Sequence, residues 1–263
     1  MNRMPSLFVS HGSPTFAIDP GKAGPLLTQL GRELPKPQAV LVMSPHWVTR
    51  GLSVATTAKP ETIHDFGGFP DELYRIQYPA PGSPTIAMRA LELLNAAGLA
   101  ATGDEDMGMD HGAWVPVRHL YPDADVPVVQ VSMPHTLDAA GAVRIGRALA
   151  PLASEGVLIV GSGSITHNLR EVRWSTAEGD DSAAAYANEF VAWARNAVKN
   201  HDEAALVNYA QSAPHAKRAH PTPDHYLPLP FAFGAADAKA PVRVIDGGMT
   251  FGVLAMDDYV FGG

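Results

Sequence analysis

The chain contains no cysteine among its 263 residues, which excludes disulfides, thiolate metal sites and thiol nucleophiles together. Any transition metal it holds must be bound through nitrogen and oxygen. Charge is scarce as well. Only 17% of residues are Asp, Glu, Lys or Arg, and the formal balance is -8, so no cationic surface invites a nucleic acid or an anionic membrane. No apolar run approaches the roughly 20 residues that cross a bilayer. The opening residues Met1-Asn2-Arg3-Met4-Pro5 run straight into an apolar stretch and lack the longer hydrophobic core of a secretory signal, so a cytoplasmic protein is expected. No internal repeat, charge run or Ser/Gly-rich linker divides the chain. A single domain over residues 1–263 is predicted.

What the chain has is a series of short runs rich in Val, Ile, Leu and Phe with little polar alternation, as in strands covered on both faces. They are Ser6 to Ser10, Ala39 to Pro45, Val126 to Pro134, Gly156 to Thr166, and a final strand at Val242 to Ile245. Between them, Pro84 to Ala97, Leu137 to Leu152 and Ser182 to Val198 repeat apolar positions at helical spacing, the first stopping at Gly98. Strands alternating with helices predict an α/β domain with a mainly parallel central sheet flanked by helices. Ligands of such sheets bind at the carboxyl ends of the strands.

Four of the eleven histidines stand just beyond those runs: His11, His46, His135 and His167. Imidazole is the commonest protein ligand for a transition metal and titrates near neutrality, so a histidine-rich metal site at the sheet edge is expected. In Ser10-His11-Gly12-Ser13-Pro14 the glycine and proline turn the chain directly after the ring. In Ser44-Pro45-His46-Trp47 a rigid residue precedes the histidine and an aromatic wall follows it. His225 is approached through Pro221-Thr222-Pro223-Asp224, a stiff segment that suits a preorganised ligand. For His220, a proline-rich surface turn and a functional role both stay open.

His167 follows a Gly-Ser-Gly-Ser stretch that lacks the Lys of a P-loop and the spacing of a dinucleotide fingerprint. That turn suits a general acid/base as well as a ligand. His64-Asp65 and Asp110-His111 pair imidazole with carboxylate beside glycines and aromatics, a setting in which Asp can orient a ring and flat side chains can line a slot for a planar substrate. His135 can equally do no more than end its strand. His119, His201 and His215 read as surface residues.

Taken in order, Ser10-His11-Gly12-Ser13-Pro14, Ser44-Pro45-His46-Trp47, His64-Asp65-Phe66-Gly67-Gly68-Phe69-Pro70, Tyr78-Pro79-Ala80-Pro81-Gly82-Ser83-Pro84, Asp110-His111-Gly112-Ala113-Trp114, His167-Asn168-Leu169 and Pro221-Thr222-Pro223-Asp224-His225-Tyr226 resemble the DOPA extradiol dioxygenase family. That family lies in the superfamily of the protocatechuate 4,5-dioxygenase catalytic subunit. The resemblance spans nearly the whole chain. It implies a non-haem metal held by His11, His46 and His225, with His167 beside it as acid/base in turnover or a fourth ligand at rest. It also implies pocket roles for His111, as a catalytic residue, and for His64.

The implied chemistry is ring opening of a catechol, DOPA-like or related, by O2 to give a muconic semialdehyde. Trp47, Phe66, Trp114 and Tyr226 are candidate apolar walls of the substrate pocket, as is Phe69. The resemblance implies Fe(II) for oxygen chemistry. Three histidines, however, are also the protein set of a catalytic zinc site, so Zn(II) can occupy the purified protein. A zinc-dependent hydrolase using the same histidines is the alternative enzyme, and a non-catalytic binding module on this fold the alternative outside enzymes. Expected partners are the small catechol and O2. Monomer and homodimer remain open.

Overall fold

The structure is a computed structural model, describing residues 3–174 and 183–262. Ten strands lie in it: β1 (Ser6–Ser10), β2 (Ala39–Thr49), β3 (Leu52–Ala55), β4 (Ala101–Asp104), β5 (Val128–Pro134), β6 (Val157–Gly163), β7 (Val242–Ile245), β8 (Met249–Thr250), β9 (Leu254–Ala255) and β10 (Asp258–Phe261). Eight of them form one sheet in the order β4-β3-β5-β2-β6-β1-β10-β7, while β8 and β9 make a separate ribbon. The centre, β5-β2-β6-β1, is parallel throughout. Its strands are buried nearly end to end, as the apolar runs require.

Layers of helix cover both faces. Alternate residues of a strand point to opposite sides, and β6 shows which helix lies where. Ser162 turns to α3 (His111–Leu120), where its hydroxyl donates to Gly112 O. Gly161 and Gly163 turn to the segment entering the helix Pro228–Ala235: a Cβ at Gly161 would stand 2.0 Å from Pro228 O, and one at Gly163 2.4 Å from His225 O. The all-apolar sequence Pro228-Leu229-Pro230-Phe231-Ala232-Phe233-Gly234-Ala235 is therefore a core helix, buried along its whole length. On the α3 side, α1 (Ala23–Glu33) packs outside it.

The predicted helices appear as α2 (Pro84–Ala96), as α4 (Ala139–Leu149) followed by a short turn at Pro151–Ser154, and as Ala185–Lys199. Ser182, the predicted start of the last, lies outside the described residues. The strands differ from expectation at several points: β5 begins at Val128 rather than Val126, and β6 spans Val157–Gly163 rather than Gly156 to Thr166. β2 does not stop at Pro45 but continues through His46 to Thr49. Val242–Ile245 is not the final strand, because β10 returns between it and β1, antiparallel to both. That return seals the β1 edge and brings Asp258 to the Ser10 backbone, 2.9 Å from its N–H. No helix among the described residues is long and apolar enough to cross a membrane.

Candidate metal centre

Four stretches of chain bring imidazoles to one place at the carboxyl edge of the parallel core. His11 leaves β1 with its N–H on Gly163 O at 3.0 Å, and Gly12, at φ +62°, turns the chain away behind it. His46 sits inside β2, where pairing with β5 jumps from Met43↔Val131 to Val48↔Met133. Five steps on one strand match two on the other, and this bulge re-aims the histidine. His111 opens α3 directly after Asp110, whose side chain caps the helix by accepting from Ala113 N. His225 ends the proline-rich loop, and its carbonyl takes the N–H of Ser164, just beyond β6.

The rings are in contact. His11 Nε2 and His46 Nε2 stand 3.2 Å apart. Ring centres of His11, His46 and His225 form a nearly equilateral triangle of 5.1, 5.1 and 5.2 Å. His167 lies flat on His225, centres 3.4 Å apart and planes 6° from parallel. His111 packs closer to His46, at 3.9 Å between centres, and 5.5 Å from His11.

Oxygen acceptors fix the outer nitrogen of His11, His111 and His225, and a carboxylate faces that of His46. The Ser162 hydroxyl spends its proton on Gly112 O, so it accepts from His11 Nδ1 at 3.0 Å. Asp65 Oδ2 accepts from His111 Nδ1 at 2.8 Å and faces His46 Nδ1 at 3.4 Å. Asp224 Oδ2 accepts from His225 Nδ1 at 2.5 Å. With the proton on Nδ1 of His11, His111 and His225, Nε2 of each of these three rings carries a lone pair. This is the support that metal-ligating histidines receive from the layer behind them.

Burial, reinforced by the neighbouring imidazoles, pushes His11 and His46 far below the ordinary histidine range. His167 is held down at about 2, by burial first and then by His225. Burial also lowers His225, against the pull of Asp224. These rings are neutral at pH 7, the form that binds metal. The donor set fits a divalent transition ion. Imidazoles sharing an ion at about 2.1 Å per nitrogen have ring centres about 5 Å apart, the spacing of the His11, His46 and His225 triangle. His111 is the other candidate for the third place, since one of its ring nitrogens lies with those of His11 and His46 inside a 4.8 Å span. The nitrogen positions thus group His111 with His11 and His46, while the ring centres group His225 with them.

Around this centre, Phe66 stands edge-on to His111 at 5.6 Å. His64 is one layer further out, bonded to Ile76 O at 3.0 Å and 5.7 Å from Phe66. Trp114 is fully buried with its indole N–H on Ile63 O, and Trp47 is buried too. Tyr226 is fully buried, stacked on Tyr209 at 3.8 Å with its hydroxyl on Leu206 O, which places it in the packing behind His225. His135 is exposed at the end of β5. His220 is not in a surface turn: it is buried between Phe190 and Tyr226 with Nε2 on Ile165 O at 2.8 Å. His119 is half-buried against Phe16, contrary to its surface reading, because its Nε2 reaches Phe16 O.

Sequence reasoning missed the acceptors. Asp65 bonds not its neighbour His64 but His111, and faces His46; Ser162 lies on β6, within the predicted strand, where the sequence alone shows no partner for it. Asp110, fully buried, takes hydrogen bonds from Ser44 Oγ at 2.6 Å and Gln130 Nε2 at 2.8 Å, fastening the β2 bulge to α3 and β5.

A parallel α/β sheet with a nitrogen-only metal site at its carboxyl edge defines the class: a non-haem metalloprotein of the α/β type. Residues 5–261 match the family model described as the catalytic LigB subunit of aromatic ring-opening dioxygenase, and the chain belongs to that family. It is 43% identical over 262 residues to 4,5-DOPA dioxygenase extradiol of Escherichia coli strain K12, covering 97% of this chain and 93% of that protein. It is 40% identical to 4,5-DOPA dioxygenase extradiol of Beta vulgaris, covering 97% and 96%. The crystal structure of uncharacterized protein JW3007 from Escherichia coli K12 superposes with a TM-score of 0.81 at 35% identity, covering 99% of this chain and all of that one.

Proposed function

We propose that this chain, as one catalytic domain over residues 1–263, is a cytoplasmic extradiol dioxygenase. It opens the ring of a catechol, DOPA or a related ring-substituted one, with O2 to give a muconic semialdehyde. The observation that carries this reading is the cluster of imidazoles at the sheet edge, found in a chain of the ring-opening family and so similar to named DOPA dioxygenases. His11, His46 and His225 would hold Fe(II), with Zn(II) an inactive occupant of purified protein. Bound there, the ferrous ion supplies a Lewis acid and redox centre at which catechol and O2 meet.

The protein's own part is positioning and proton handling. A catechol that docks as its anion must lose a proton, and His167 is a neutral ring stacked at the edge of the triangle. Its low proton affinity reflects burial and imidazole neighbours; the negative charge of an arriving catecholate raises that affinity. The same ring, once protonated, can return its proton to the oxygen released as the O–O bond breaks. His111, whose Nδ1 is held by Asp65, offers the lone pair of its other nitrogen. Phe66 provides an apolar edge for the aromatic ring. Holding both reactants on one centre turns an encounter of three species into a local reaction.

Anaerobic addition of catechols to Fe(II)-loaded protein, followed by O2, tests the reading: a yellow ring-opened semialdehyde is expected. Absence of ring-opened product across a broad catechol panel, with ester or amide hydrolysis by the Zn(II) form, would establish the hydrolase instead.

A further inference from the structure

We propose that Asp65 is the positioning residue of the metal centre, one carboxylate that orients His111, faces His46 and, with Asp224, supplies the negative charge that the ligands lack. The inference rests on the metal-centre reading above. Its starting point is the number of groups fastened to this one side chain. Oδ1 accepts the backbone N–H of His111 at 2.8 Å; Oδ2 accepts His111 Nδ1 at 2.8 Å and faces His46 Nδ1 at 3.4 Å. A carboxylate held at two oxygens by one residue cannot swing, so its charge is fixed beside the His46 ring that it faces. The two rings, 65 residues apart in sequence, come from β2 and α3, and Asp65 lies in the segment between β3 and α2.

Charge gives the second argument. A set of two histidines and one carboxylate brings a negative charge to a divalent iron, whereas three neutral imidazoles bring none. Here the charge stands one layer out. Asp65 is behind His46 and His111, and Asp224 is 2.5 Å from Nδ1 of His225. His11 is the exception, with the uncharged Ser162 hydroxyl behind it. Asp110 is close but spent, since its oxygens take Ser44, Gln130 and the Ala113 N–H. Two carboxylates thus stand behind two of the three proposed ligands, Asp224 hydrogen-bonded to His225 and Asp65 facing His46, where their charge offsets that of a divalent ion.

In Asp65→Asn the charge is gone, and one end of the side chain presents an N–H to groups that are themselves donors. Cobalt(II) titrated into metal-free, full-length wild type, Asp65→Asn and Asp224→Asn, in competition with a chromophoric chelator, reads both affinity and the d–d absorption band. Asp65→Asn is expected to bind about 10- to 100-fold more weakly with a shifted band, at unchanged circular dichroism; Asp224→Asn should weaken binding without displacing His46. Affinity within twofold of wild type and an unaltered band in Asp65→Asn overturn the inference and leave the metal centre standing. Wild type that takes up no cobalt, or that takes it up as well after His11→Ala, overturns the underlying reading. Should Asp65→Asn fail to fold, Asp65→Ala titrated with and without formate decides: recovery of affinity by formate supports the assignment, and its failure to recover, or wild-type affinity without formate, contradicts it.

Discussion

His11 Nε2 and His46 Nε2 stand 3.2 Å apart, with the Ser162 hydroxyl accepting from the far nitrogen of His11 and Asp65 Oδ2 facing that of His46 at 3.4 Å. A cation held by both Nε2 atoms takes both lone pairs, so the folded chain brings two donors together before a metal arrives. Burial keeps His11 and His46 neutral well below pH 6.5 and lowers His225 as well, which has a consequence for metal uptake. Affinity should change little from pH 7.5 to about 5.5, since few protons must be displaced. A chelator-competition titration across that range checks it; a tenfold loss per pH unit would mean rings of ordinary proton affinity.

Gly112 keeps the bulge of β2 against the first turn of α3. A Cβ there would stand 2.4 Å from Ser44 Oγ and 2.9 Å from His46 Cδ2, and neither can retreat, the serine being bonded to Asp110 and the ring belonging to the centre. Gly112→Ala should cost about 1–3 kcal/mol of stability and more than tenfold in metal affinity. Thermal melts and metal content on the same preparation measure both.

His220 is buried with Nδ1 unpartnered, and burial lowers it to about 4. Between about pH 4 and 6.5 the unfolded chain binds a proton there that the folded chain refuses, so stability rises with pH in this window and is lost on acidification. The full contribution is about 3 kcal/mol. His220→Gln keeps a donor for Ile165 O and removes the titration, so denaturant unfolding of metal-free protein at pH 5 and 7 should show a smaller difference than wild type. The other buried histidines leave a remaining slope of the same sign.

His167 touches the centre through the face of His225 rather than through an oxygen-fixed nitrogen. His167→Gln should retain most of the metal and lose about 10²- to 10⁴-fold in turnover. Metal analysis and rate on one preparation separate the two effects; metal lost in step with rate would make His167 a ligand.

Much of this was legible in the chain. The parallel core announced itself through Ser6 to Ser10, Ala39 to Met43 and Val157 to Val160, whose apolar character reflects cover on both faces. β4 (Ala-Thr-Gly-Asp) and β10 (Asp-Tyr-Val-Phe) were not, since four residues of mixed polarity become strands only when a partner edge is present. Histidines beyond strands pointed correctly to the convergence of His11, His46 and His167. His46 was misplaced by one structural detail, a bulge inside β2, because its register depends on β5. The carboxylate behind each ring was harder to read. Asp224 does serve its neighbour His225, but Asp65 passes over His64 to reach His111, 46 positions away, and no local spacing encodes that choice.

The most direct test of the account is metal content combined with catechol binding in wild type, His11→Ala, His46→Ala, His225→Ala and His111→Ala. Iron(II)-loaded wild type should hold one ion per chain, shift its absorption on anaerobic addition of a catechol and yield a yellow semialdehyde with O2. His11→Ala, His46→Ala and His225→Ala should lose the ion, while His111→Ala should keep most of it. A His225→Ala protein that retains iron and full turnover would contradict the proposed triad, and a wild type that binds iron yet never opens a catechol ring would contradict the proposed activity.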